Sequence, residues 1–88
     1  MQWHPTPPDA FEVFEARQSV QGGQLVLTMQ RLEATAAWQG WAQVFHRLTP
    51  VPVCTVPLGG LGRGHHEEAQ RRLETAARVW ARGRRATS

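Results

Sequence analysis

The sequence predicts an α+β domain in which a small antiparallel three-stranded sheet is covered on one face by a long amphipathic C-terminal helix, with a short helix at the N-terminus. Three observations favour this architecture. Residues 65–82 place apolar side chains at helical spacing, residues 24–33 alternate apolar and polar side chains, and 88 residues suffice for one hydrophobic core. A mainly α domain is the alternative, because residues 34–48 fit a helix as well as a strand.

The N-terminal residues 1–8 are predicted to form an irregular arm. Three of the six prolines lie there, and proline fixes φ and removes a backbone donor. Asp9 then begins the predicted N-terminal helix, since its carboxylate can accept from the first-turn amides and Glu12 can reach back to it. Phe11 and Phe14 would share one helical face. A strand is the rival interpretation, although its alternation leaves both faces mixed.

The strands are predicted from alternation after the glycines at 22 and 23. Residues 24–33 have the period of a half-buried strand. If residues 38–48 also form a strand, its outer face carries Gln39, Trp41, Gln43, Phe45 and Arg47; a helix would instead bury the two aromatic side chains. Residues 49–57 are β-branched and apolar, but their prolines confine them to an edge strand or an extended connector.

The C-terminal helix is predicted to follow a glycine-rich loop at residues 59–64. The loop carries Arg63 and could cradle an anion at the helix start, but its spacing matches no nucleotide-binding motif, so a structural turn is favoured. Gly83 is expected to stop the helix, which bounds the domain at residues 9–83 and leaves a frayed basic tail at 84–88.

The predicted helix carries a stripe of arginines opposite its apolar side. Three acidic residues stand four positions before an arginine, pairing Glu67 with Arg71, Glu68 with Arg72 and Glu74 with Arg78. These pairs favour a solvated face. The arginines left without an acidic neighbour are Arg82, Arg84 and Arg85, which suit a phosphate or an acidic partner.

Composition predicts a cytoplasmic protein without a membrane span. Cys54 is the only cysteine, which favours a reducing compartment, and no apolar run is long enough for a signal peptide or a spanning helix. All ten basic residues are arginine while Lys, Ile, Asn and Tyr are absent, which is typical of a GC-rich bacterial or phage genome. The net charge of +3 is too small to demand nucleic acid.

The chemical inventory predicts no enzyme, no cofactor and no metal. One Asp, one Cys and no Lys or Tyr are present, and no nucleophile stands at a recognisable spacing from a histidine. His65 and His66 are adjacent, so they lack the four-residue spacing that places two metal ligands on one helical face.

The predicted order of helix, three strands and helix is similar to that of double-stranded-RNA-binding domains. The similarity covers the C-terminal third, where the loop-to-helix signature of that family is matched distantly by Gly62-Arg63-Gly64, Glu68-Ala69 and Ala76-Ala77. The family has phosphate-binding lysines at the helix start, where this sequence has His66 and Glu67. RNA binding is therefore not carried over from the resemblance.

The sequence thus predicts a non-catalytic binding protein of phage or mobile-element type. Its expected partner is a host protein or nucleoprotein complex, on which it docks as an inhibitor or adaptor. The predicted contact residues are Trp41, Phe45, Arg47, Arg71, Arg78, Arg82, Arg84 and Arg85. One alternative is direct nucleic-acid binding through the helix arginines, and another is a small metal-free ribonuclease-like protein using His46.

Overall fold

The structure is a computed structural model that describes residues 1–6 and 12–87, with side chains as far as Gly83. The strands are β1 (Trp3–Pro5), β2 (Glu12–Val20), β3 (Gly23–Arg31), β4 (Gln39–His46) and β5 (Pro52–Leu58), and they are followed by the helix α1 (His66–Thr87). They form one antiparallel sheet in the order β1-β2-β3-β4-β5, so each strand pairs with its sequence neighbours. Helix α1 packs on one face of this sheet.

The predicted three-stranded sheet with an N-terminal helix is wrong. Residues 12–20 form β2, and Asp9 and Phe11, on which the helix prediction depended, lie outside the described residues. The rival strand interpretation accounts for this segment: Phe14 packs against the core, and Ala16 is fully buried. The opposite face of β2 carries both apolar and polar side chains, as expected of a face that no described element covers.

Pairing with β3 decides the conformation of β2. The two strands pair over their full nine-residue lengths, from Glu12 opposite Arg31 to Val20 opposite Gly23. The two-residue turn between them contains Gly22 with a φ of 83°, a backbone conformation that glycine adopts without a Cβ clash. A capping pattern contributes about 1 kcal/mol, which this hairpin outweighs.

The structure also assigns the predicted irregular arm and the ambiguous residues 34–48. Within the predicted irregular arm, Trp3–Pro5 forms the edge strand β1 and pairs with β2. The ambiguous residues 34–48 contain β4, so the mainly α alternative is wrong too. Among the described residues, five strands therefore precede one helix, and this element order is not that of double-stranded-RNA-binding domains.

The C-terminal half agrees with the prediction more closely. The proline-containing segment forms β5 at the edge of the sheet, and the long helix begins at His66. However, the helix continues through Gly83 to Thr87. A glycine inside a helix costs only about 1 kcal/mol relative to alanine, which good helix-forming neighbours such as Arg and Ala can offset. No helix in the described part of the chain is long and apolar enough to cross a membrane.

The hydrophobic core lies between α1 and the sheet. Leu27, Met29 and Leu73 are its largest fully buried side chains. Around them pack Trp38 and Ala42 from the β4 region, Leu61 from the loop before the helix, and Ala69 and Ala77 from α1. The buried side of the helix is rich in alanine, whose small side chain allows a close approach to the sheet.

Gly40 marks the closest approach of β4 to this core. A Cβ atom at position 40 would lie 2.7 Å from Cδ1 of Leu61 and 3.2 Å from both δ carbons of Leu73. Both leucines are buried and have little room to move. Position 40 therefore accepts hardly any side chain.

Gly40→Ala is expected to lower the free energy of unfolding by about 1–3 kcal/mol, the usual cost of overpacking a core. The measurement is urea denaturation followed by circular dichroism. Gly59→Ala is the matched control, because a Cβ atom there meets nothing within 4 Å and the change should stay within about 0.5 kcal/mol. Equal effects of the two substitutions would contradict the close approach at Gly40.

Candidate functional site

The two faces of the sheet have different surroundings. Because successive side chains in a strand point to opposite faces, alternate residues of each strand belong to the face that α1 covers. The other face, here called the open face, is not covered by any described element. Its central residues are Gln24, Val26, Thr28 and Gln30 from β3 and Gln39, Trp41, Gln43 and Phe45 from β4.

The centre of the open face is uncharged, aromatic and able to form hydrogen bonds. Trp41 stands opposite Thr28, and Phe45 stands opposite Gln24. Both aromatic side chains are half-buried by their neighbours. Val26 lies between them and is only 2% exposed, although it is not part of the core beneath α1. The face is therefore a well-packed surface that contains two partly exposed aromatic residues.

Charged groups lie toward the β2 side and the β4–β5 end of this face. Arg17 on β2 forms an ion pair with Glu15, with 2.6 Å between Nε and Oε1, and its Nη1 donates to Oε1 of Gln24 at 3.2 Å. Arg47 follows the end of β4 and is exposed. The open face thus has an uncharged centre and a charged rim.

One corner of the open face is concave and basic. A cavity of about 510 Å³ lies where the β2–β3 turn meets the β4–β5 loop, and its lining residues are Arg17, Gly23, Gln24, Phe45, His46, Arg47, Thr49 and Pro50. We call Arg17, His46 and Arg47 the basic corner. Phe45 belongs to both the cavity wall and the open face, so the corner is continuous with the aromatic surface.

The edges of the sheet are poorly suited to adding a further strand. The outer strand β1 is three residues long and ends at Pro5, and the other outer strand, β5, contains Pro52 and Pro57. Proline has no N–H to donate, so it blocks edge-to-edge pairing. The outer strands β1 and β5 are therefore poor templates for a further strand.

The helix arginines lie on the other side of the molecule. Arg71, Arg78 and Arg82 are exposed and project from the side of α1 opposite Leu73, whereas Trp41, Phe45 and Arg47 belong to the open face and its rim. The sheet and the helix separate these two groups. The predicted contact residues therefore form two surfaces, and one flat partner cannot contact both. The side chains of Arg84 and Arg85 lie outside the described part of the structure.

Two of the three predicted ion pairs on α1 are present. Arg72 pairs with Glu68 at 2.6 Å, and Arg78 pairs with Glu74 at 3.8 Å. The expected pair of Glu67 with Arg71 is not formed among the described residues. Glu74 also accepts a hydrogen bond from the Trp3 indole at 3.0 Å, which ties β1 to the helix.

The glycine-rich loop before α1 is held in place by the β3–β4 connection. The indole N–H of Trp38 donates to the carbonyl of Gly64 at 2.9 Å, and Nη1 of Arg31 donates to the same carbonyl at 3.3 Å. The Arg31 guanidinium also lies 4.3 Å from the centre of the Trp38 ring. Arg63 is exposed within this anchored loop. These contacts give the loop a structural role.

His65, His66 and Glu67 come together at the helix start. Their potential ligand atoms lie within 4.8 Å of one another, the closest approach to a metal-ligand set in the described ranges. Adjacent residues at a helix start can therefore converge without the four-residue spacing. Nδ1 of His65 accepts from the Glu67 amide at 3.3 Å, and the His66 ring stacks on Phe14 at 4.7 Å. Both histidines thus have structural contacts.

Sequence analysis missed Arg17 and His46 as neighbours of Phe45 and Arg47. Arg17 follows the predicted helix start at Asp9, and a helix in this segment does not place it beside Gln24 in a hairpin. The missed signal was the glycine pair at 22 and 23 between two alternating segments, which is typical of a hairpin.

Comparison of the chain with protein-family models, curated proteins and solved structures finds no match.

Proposed function

We propose that this chain is a non-catalytic cytoplasmic binding protein that docks on a partner protein through the open face, as an inhibitor or adaptor. The observation that carries the proposal is the pair Trp41 and Phe45, half-buried in an uncharged surface that no described element covers. The side chains around them are glutamine and threonine, which can donate and accept hydrogen bonds.

The arrangement has the anatomy of a protein–protein interface. The cores of such interfaces are depleted of charge and enriched in aromatic residues and arginine, and their rims are polar. Here the aromatic residues occupy the centre, and the charged residues Arg17, Glu15 and Arg47 occupy the rim. Energetic hot spots in interfaces are most often Trp, Tyr and Arg, so Trp41 is the expected anchor.

Nucleic-acid binding through α1 is the second candidate. Arg71 and Arg82 are exposed on one stripe of the helix and have no side-chain partner among the described residues. Two further arginines, Arg72 and Arg78, are paired with glutamates, which weakens the positive potential of the helix. We therefore favour the open face as the binding surface.

Site-specific photo-crosslinking tests which surface is used. We expect a benzoylphenylalanine side chain at Phe45 to cross-link a protein partner when the variant is expressed in the host cell and irradiated. The matched control carries the same group at Val79, which is 62% exposed on α1. Cross-links at 45 that survive nuclease treatment, with none at 79, support the proposal.

Two outcomes would contradict it. Cross-links confined to position 79 would move the partner to the helix surface. Nuclease-sensitive adducts at position 79 would identify a nucleic acid bound beside the helix arginines, and nuclease-sensitive adducts at position 45 would place a nucleic acid on the open face; either result excludes a protein partner there. Circular dichroism of both variants should match the parent protein, since both positions are outside the hydrophobic core.

A further inference from the structure

We propose that the basic corner binds a carboxylate group on an acidic segment of the partner protein. This inference rests on the proposed function and adds the chemistry of the partner. The residues involved are Arg17, His46 and Arg47, which line the same cavity beside the Phe45 ring. The cavity lies on the rim of the open face, where a docked partner would place a side chain.

Three side chains offer hydrogen-bond donors at this corner. Arg47 is exposed, and its guanidinium has no partner among the described residues. Arg17 uses Nε and Nη1 on Glu15 and Gln24, which leaves Nη2 without a described partner. Nδ1 of His46 accepts from the Leu48 amide at 3.3 Å, so a neutral His46 ring carries its proton on Nε2 and donates from there.

The backbone of the corner is held rigidly. The Arg47 amide donates to the carbonyl of Gly22 at 3.1 Å, which ties the β4–β5 loop to the β2–β3 turn. The carbonyl of His46 accepts from the Thr49 amide at 3.1 Å and from the Thr49 hydroxyl at 3.3 Å. Because these bonds fix the backbone before binding, less conformational freedom is lost when a ligand arrives.

Charge complementarity identifies the ligand as an anion. No described acidic residue lines the cavity, whereas two arginines do; Arg17 is already paired with Glu15, so Arg47 supplies the positive charge that has no acidic partner. Guanidinium groups match the planar geometry of a carboxylate and bind it through paired hydrogen bonds. Phe45 adds an apolar wall, so an acidic residue next to an apolar one fits both features of the site.

A protein carboxylate fits better than a nucleic-acid backbone. A nucleic acid presents a row of phosphates and is bound by a row of cations. The centre of the open face has no charged residue along β3 from Gln24 to Gln30 or along β4 from Gln39 to Phe45. One basic corner beside an uncharged aromatic surface therefore suits a single anionic side chain within a protein interface.

The test is a titration of the ¹⁵N-labelled protein followed by two-dimensional NMR. The probe is a synthetic peptide with the sequence Glu-Glu-Phe-Glu-Glu and blocked ends, and the control peptide has glutamine in place of each glutamate. We expect the acidic peptide to shift the amide signals of Gly23, Gln24, His46 and Arg47, and the glutamine peptide to leave them in place. A short single-stranded DNA is titrated in parallel.

Three variants that each lose one positive charge test whether the peptide binds at the basic corner. Arg47→Gln and Arg17→Gln should each weaken peptide binding about tenfold, as expected for the loss of one charge-assisted hydrogen-bonding group. Arg82→Gln removes the same charge from the exposed side of α1 and should leave the affinity unchanged. If all three variants lost the same affinity for the peptide, binding would depend only on the net charge of the protein, and the proposal would be overturned.

The other outcomes of the titration distinguish the carboxylate site from the proposed function. If neither ligand shifts the corner amides, the proposal is wrong, whereas photo-crosslinking from position 45 can still succeed and the proposed function stands. If DNA shifts the corner amides and the amides beside the helix arginines together, the ligand is a nucleic acid and both proposals fall. Shifts caused by the acidic peptide alone, lost in the corner variants, support the carboxylate site.

Discussion

Leu73→Ala is expected to lower the free energy of unfolding by about 3–5 kcal/mol, the usual cost of removing a fully buried leucine. Leu73 is 0% exposed, and it belongs to the cluster that joins α1 to Leu27 and Met29. A domain of this size has a total stability of about 5–15 kcal/mol, so the variant should be close to unfolding. Urea denaturation followed by far-ultraviolet circular dichroism measures the change.

Val79→Ala on the same helix is the matched control. Val79 is 62% exposed, and alanine has a higher helix propensity than valine, so the control should be neutral or slightly stabilising. A loss below about 1 kcal/mol for Leu73→Ala would contradict the packing of α1 against the sheet. In that event the face of the sheet that carries Leu27 would also need another cover.

Trp38→Ala is the second substitution with a large expected effect, a loss of about 3–5 kcal/mol. Trp38 is 3% exposed, lies 5.9 Å from the Phe14 ring and donates to the carbonyl of Gly64. The truncation therefore removes core packing and one anchor of the loop before α1 together. Denaturation followed by circular dichroism gives the stability, and hydrogen exchange of the Gly62 to Gly64 amides reports the loop.

Trp41→Ala provides the comparison at a second tryptophan, three positions away on the opposite face. Its expected cost is about 1 kcal/mol, because Trp41 is only half-buried and contributes to no described core contact. The same variant should lose the partner captured by photo-crosslinking at position 45. If both tryptophan variants lost equal stability, Trp41 would be a structural residue and the open face would lose its proposed anchor.

The outcome at β2 shows where sequence reasoning failed. Asp9 and Glu12 form a plausible capping pattern, and local patterns of this kind are weak compared with pairing to a neighbouring strand. The pairing of β2 with β3 depends on residues up to 19 positions apart, from Glu12 to Arg31. Only the glycines at 22 and 23 indicate this pairing, and in the predicted architecture they separate the N-terminal helix from the first strand.

The segment containing β4 illustrates a different limit. Its apolar residues fit both periods, and local propensity does not choose between them. The choice follows from packing: Gly40 must lie against Leu61 and Leu73, and Ala42 must be fully buried beneath the helix. Such constraints exist only once the helix is in place. The helix itself was predicted well because its periodicity is continuous from Ala69 to Trp80.

Part of the candidate site was predictable from the alternation of side chains along a strand. Once residues 39–46 are a strand, alternation alone places Trp41 and Phe45 on its outer face. The basic corner was not predictable, because it joins residues from two hairpins that are adjacent only in the folded sheet. Arg17 and Arg47 are 30 positions apart in the sequence, and both hairpins must form before they line one cavity.

The up-and-down strand order also bears on how the chain reaches its native state. Every pair of adjacent strands is joined by a single connection, so each pairing closes a short loop at a small entropic cost. Pairing in the β2–β3 hairpin spans at most 19 positions, from Glu12 to Arg31, which is a shorter separation than long crossover connections impose, and shorter separations accompany faster folding. The bond from Trp3 to Glu74 spans 71 positions and depends on both ends of the fold. The sheet can therefore form as each strand pairs with its sequence neighbour. The hydrogen bond from Trp3 to Glu74 can form only after the helix has packed on the sheet.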